Sequence, residues 1–166
     1  MAMLNGKPED EPLHSGEIYH LWTYLYNTKG SLVSMQVFIN HSGDNDLKAF
    51  FEDLLESGFT QEVQQVETLL KETGIRLPPA PPDRPNVEVQ DIPAGARFND
   101  PELAVLVQKE LMTGKVLCSY IMGISIREDI REMFGDFHNQ KEENEVKLLQ
   151  IMKDKGWLTL PPLNIK

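Results

Sequence analysis

Seven of the chain's eleven prolines fall between Gly74 and Leu103, in the run GIRLPPAPPDRPNVEVQDIPAGARFNDPEL. Pro8 and Pro12 precede residue 13, and Pro161 and Pro162 lie in the tail. A proline inside a helix removes a backbone donor and drives its ring against the preceding turn, so helix interiors exclude it. The two proline-free blocks, 13–77 and 102–160, therefore predict long helices. The dense run between them predicts an extended, stiff connection.

Capping signals divide each block in two. Ser15 is placed to cap a first helix over about 15–42, with Gly43 as its stop. Asp44 or Asn45 would cap a second over about 45–73, ending before Gly74. Asp100-Pro101 offers a cap followed by proline for a third over about 101–122, closed by Gly123. Ser125-Ile126-Arg127-Glu128 reads as a capping box for a fourth over about 126–155, stopping at Gly156. Apolar residues recur at helical spacing: Leu21, Leu25, Leu32, Met35 and Ile39 share one face, and Leu47, Phe51, Leu54 and Leu55 the next.

A helix of ~28 residues is ~42 Å long at 1.5 Å per residue. The connection over about 75–100 can reach ~85 Å when extended, enough to run the length of a bundle. The expected fold is one all-α domain over 1–166: a ferritin-like four-helix bundle, two antiparallel hairpins joined by a long Pro-rich crossover.

Composition narrows the partners. A formal net charge of −10 and scattered Lys and Arg argue against nucleic acid, which needs a cationic stripe. Anionic membrane surfaces are disfavoured likewise, and no apolar run approaches the ~20 residues that span a bilayer. The N-terminal stretch MAMLNGKPEDEPLHSG has no signal-peptide core. One cysteine, Cys118, allows no internal disulfide, so a reducing, cytoplasmic interior is expected. Its apolar surroundings suit a core thiol better than a nucleophile.

Four segments carry a resemblance: SGEIYHLWTYLYN at 15–27, LLKETGIRLP at 69–78, SIREDIREMF at 125–134, and the Pro-Pro tail. Together they resemble an uncharacterised Bacillus-type family, similar in fold to ferritin, whose members are often labelled "putative spore coat proteins". The resemblance implies a four-helix bundle in a spore-forming bacterium, cytoplasmic or spore-associated. It implies no established activity. In that pattern a His often stands near the middle of the second helix, where this chain has Glu62, a departure that counts against an inherited metal site.

A ferritin-like di-iron centre needs one Glu from each of two helices and a Glu-x-x-His from each of the other two. The chain has one such motif, Glu17-x-x-His20, in a first turn where the helix dipole favours Glu anyway. Inward polar residues are the better signal. Glu62 falls on the face of Val66 and Leu69, and Glu110 lies close to the Leu103/Val107/Gly114 face. The inward row of the fourth helix passes through Lys141, Asn144 and Glu145, flanked by His138. Lysine in a ligand zone would repel two divalent cations but could neutralise a buried Glu. Ion pairs in place of a metal are therefore expected, with Lys141 pairing with Glu62 or Glu110. A mononuclear site of Glu62, Glu110 and His138, or half-exposure of all these residues, stays open.

No Gly-rich phosphate loop or Gly-x-Ser-x-Gly elbow is present, so no reaction is indicated and no cofactor is expected. The third helix is apolar beyond one stripe, at Ala104, Val105, Leu106, Val107, Val116, Leu117 and Ile121. A second chain, or the segment VEVQDIPAGARF, must cover the excess, and a homodimer through this helix is the expectation. Two functional readings follow. One is a non-enzymatic bundle acting through protein contacts, with a spore or stress role that rests on the resemblance alone. The other is a carboxylate-bridged iron or manganese protein of oxidase or storage type.

Overall fold

A computed structural model describes residue 7 and residues 11–164. The N-terminal stretch around Pro8 lies outside the described residues. The chain is all-helical, with no strand among the described residues. Helix α1 spans Ser15–His41. Helix α2, Asn45–Asp53, runs through a π-helical turn, Leu54–Phe59, straight into α3, Thr60–Glu72. These three segments form the second long helix. Helices α4, Asp100–Ile124, and α5, Glu128–Asp154, complete four.

The helix ends are set by residues one step away from several of those expected. His14, not Ser15, caps α1: its ring accepts from the Gly16 and Glu17 amides, and Glu17 reaches back to the His14 N–H. Asn99 rather than Asp100 caps α4, in a reciprocal box with Glu102. Asp100 instead accepts from Gly43 N–H at 2.8 Å and ties the start of α4 to the α1–α2 turn. Asp44 caps α2 through the Asp46 and Leu47 amides. The expected Ser125/Glu128 box is absent. Ser125 Oγ donates back to Ile121 O, α4 runs past Gly123 to Ile124, and α5 begins after Arg127 with no side-chain cap of its own. Gly74 and Gly156 do end their helices, at φ of 73° and 71°, where a side chain would be strained.

Residues 76–87 lie along α1, where four α1 side chains at heptad-like spacing hold the segment. Trp22 donates to Arg76 O, and Lys29 to Pro78 O. Gln36 donates to Asp83 and accepts from Arg84 N–H, and Asn40 donates to Pro85 O and accepts from Val87 N–H. Prolines supply no N–H, so carbonyls receive donors from α1, while the amide oxygens of Gln36 and Asn40 meet the N–H groups of Arg84 and Val87. The segment 87–98 is tied to α1 at its two ends, Val87 to Asn40 and Phe98 to His41, and does not cover the outer face of α4, where Val105 and Val116 stay exposed.

The core has two halves. One gathers Met35, Phe51, Leu54, Leu103, Leu111 and Leu148 among others. The other gathers Leu21, Leu25, Val66, Ile121, Phe134 and Phe137. A belt of polar residues separates them.

Candidate functional site: a buried ion pair between two core halves

Each long helix contributes to the belt. Tyr24 and Thr28 come from α1, Glu62 from α3, Gly114 and Cys118 from α4, and Lys141 and Asn144 from α5. All but Gly114 are buried. Lys141 Nζ donates to Glu62 Oε1 in a close ion pair. Tyr24 OH donates to the other carboxylate oxygen at 2.6 Å. The ammonium also lies 5.2 Å from the centre of the Phe59 ring, a cation–π contact that suits a desolvated charge. Cys118 Sγ stands 3.8 Å from Tyr24 OH.

The π turn aims Glu62. On an uninterrupted α-helix, Glu62 would sit roughly 80° around the axis from Leu54, eight residues earlier. A wide turn that absorbs one extra residue brings it back to within about 20°. Gly58 is a weak helix former, and Thr60 closes the turn by directing both its N–H and its hydroxyl to Leu55 O. Phe59, buried beside Glu62, is placed by the same device.

Gly114 makes room for Lys141. A Cβ at residue 114 would stand 2.7 Å from Lys141 Cε, so a side chain there would force the Lys141 stem to shift. Burial, and then the Glu62 charge, push the Tyr24 hydroxyl well above its usual value. Burial also pushes the Cys118 thiol up to about 11. Both stay protonated at neutral pH. The belt therefore holds one carboxylate, one ammonium and the neutral polar side chains of Tyr24, Thr28, Cys118 and Asn144.

Other residues singled out from the sequence go elsewhere. Glu17 is fully buried, but it accepts from the Ile126 and Arg127 amides at 2.9 and 3.2 Å and from His14 N–H. His20 packs edge-on against Tyr19 and Tyr120. Glu110 is exposed and accepts from Ser31, and His138 is half-buried. Asn144 is buried, whereas Glu145 is half-buried and pairs with Lys115 at 2.6 Å. Among the described residues, no three His, Cys, Asp or Glu side chains gather as a metal cluster. Tyr24, which donates to Glu62, was not singled out from the sequence. Its position three residues after Leu21 and four before Thr28 was the available signal.

A cleft between α1 and α4 leads from the surface to this belt. Its inner part, about 350 Å³, is floored by Tyr24, Phe59, Glu62 and Lys141, with Gly30 and Gly114 on facing helices. An outer lobe of about 360 Å³ is lined by Met35, Phe38, Phe59 and Leu106, with Lys109 and Glu110.

Fold and site define an all-helical bundle closed at its centre by an ion pair. The chain belongs to the family described as Protein of unknown function (DUF3231), which matches residues 1–166. It is 45% identical to the uncharacterized protein YvdQ of Bacillus subtilis (strain 168) over 166 residues, 100% of this chain and 97% of that protein. It is also similar to a crystal structure from Bacillus halodurans C-125 of "a putative spore coat protein", with 46% identity and a TM-score of 0.93. That match covers 96% of this chain and 100% of the other. No helix among the described residues is long and apolar enough to cross a membrane.

Proposed function

We propose that this protein is a non-enzymatic helical bundle that works through protein–protein contacts, associated with the spore coat or with stress physiology in a spore-forming bacterium. The spore association is supported by the likeness to the Bacillus halodurans protein. The bundle is read as ferritin-like, its Pro-rich connection serving as the single crossover.

The observation that carries the contact reading is the outer face of α4. Val105, Met112, Val116 and Tyr120 are each more than half exposed. At 100° per residue they fall within a sector of about 80°, roughly opposite the buried Val107, Leu111 and Cys118. The stripe extends ~22 Å along the helix at 1.5 Å per residue. A second copy of this chain is its occupant. Two molecules carrying −10 each repel, and these four residues offer an apolar stripe, crossed only by the exposed Lys109 and free of carboxylates, on which two copies can meet. Two-fold pairing of one patch with itself is the commonest solution.

Sedimentation equilibrium at micromolar concentration tests this. The expected mass is twice 18.9 kDa for the wild type, falling to the monomer for Val116→Glu. A wild-type monomer at all loadings contradicts it. An iron or manganese centre finds no supporting observation, since Glu62 is engaged by Lys141 and Tyr24. Elemental analysis of the purified protein distinguishes the two readings.

A further inference from the structure

We propose that the α1/α4 cleft binds a small neutral amphiphile, an alcohol or phenol whose hydroxyl sits on the ion-pair floor and whose apolar part fills the outer lobe. The inner volume of about 350 Å³ lies in the range of small-molecule sites, ~300–1,000 Å³. Its floor holds unspent hydrogen-bonding capacity. The Lys141 ammonium has three donors, and its hydrogen-bond acceptor among the described residues is Glu62 Oε1. Tyr24 OH spends its proton on Glu62, so Cys118 faces one of its lone pairs as a weak S–H donor, and the other lone pair stays open. A hydroxyl can accept from Lys141 and donate to Tyr24 at once.

A second, independent observation is Gly30. A glycine inside a helix costs ~1 kcal/mol relative to alanine, and a Cβ at Gly30 would meet nothing within 4 Å. Packing does not require that glycine. Its bareness widens the cleft opposite Gly114.

Charge selects the ligand class. The inner cleft and outer lobe are lined by two cations, Lys141 and Lys109, and two carboxylates, Glu62 and Glu110. These charges balance, so an anionic or a cationic head gains no net attraction and loses its hydration, whereas a neutral hydroxyl needs only hydrogen bonds. The outer lobe, with Met35, Phe38, Phe59 and Leu106, takes a short alkyl chain or ring.

The test is a titration of the ¹⁵N-labelled wild-type protein with 1-hexanol, hexanoate and hexylammonium, followed by backbone amide shifts. Saturable movement of the Gly30, Ser31 and Gly114 amides with 1-hexanol is expected, with both charged analogues at least tenfold weaker. Gly30→Leu should fill the cleft and abolish those shifts while the helical circular dichroism is retained. Thr113→Leu, on the facing helix, provides the same block should Gly30→Leu fail to fold. Absence of saturable shifts with 1-hexanol overturns the proposal. So does a charged analogue that binds as tightly, or undiminished binding in a folded blocking variant.

Discussion

Glu17, in the first turn of α1, accepts the backbone N–H groups of Ile126 and Arg127, 109 and 110 residues later, at 2.9 and 3.2 Å. The α4–α5 turn is thus held by a carboxylate from another helix, and α5 starts without a side-chain cap of its own. Hydrogen bonds to a charged acceptor contribute ~1.5–3 kcal/mol each, and a buried donor left unpaired costs ~1–3 kcal/mol. Glu17→Ala should therefore destabilise by at least ~2 kcal/mol. Glu128→Ala, which the apparent capping box would make costly, should be nearly neutral because Glu128 is exposed. Urea midpoints of the two variants check this, and equal midpoints would contradict it.

The lone cysteine supplies a clean chemical readout. Cys118 is fully buried, and burial pushes its thiol up to about 11. The thiolate is the reactive form. Native protein at pH 8 should therefore consume no alkylating reagent over the time in which free cysteine reacts fully, and should take up one equivalent after denaturation. Rapid modification of the native protein would show that the seam between the core halves opens readily.

Acid sensitivity follows from two carboxylates. The Lys29 ammonium bonded to Glu67 holds its carboxyl below the usual 4.5. The Arg127 guanidinium bonded to Asp129 holds that carboxyl below the usual 3.8. A carboxyl depressed in the folded state favours folding above its unfolded value, and that contribution disappears as pH falls through the folded value. Stability should hold from neutrality to about pH 5 and decline below about pH 4. Lys29→Met should flatten part of that decline, as followed by thermal unfolding across pH.

Much of the architecture was legible because proline and glycine act locally. A ring without N–H is excluded from helix interiors, so the proline-free blocks became helices, and Gly74 and Gly156 ended theirs. Other caps were misplaced because tertiary partners override local signals. His14 took the place of Ser15, and Glu17 took over the task expected of Ser125. The inward positions of Glu62, Lys141 and Asn144 were legible from periodicity. Glu145 was not, because one wheel step separates a buried face from the seam where Lys115 waits. The π turn left only the faint mark of Gly58, since accommodating an extra residue depends on what the helix packs against.

The arrangement of the belt is tested most directly by a double-mutant cycle on Lys141 and Glu62. Their side chains are 5% and 2% exposed, so removing one partner leaves a buried charge uncompensated, at ~3–5 kcal/mol, where an exposed pair would contribute under ~1 kcal/mol. Lys141→Met should lower the denaturant midpoint strongly, and Glu62→Gln added to it should restore much of the loss, with the two changes plainly non-additive. A midpoint unmoved by Lys141→Met, or additive losses in the double variant, would contradict a bundle centred on this pair.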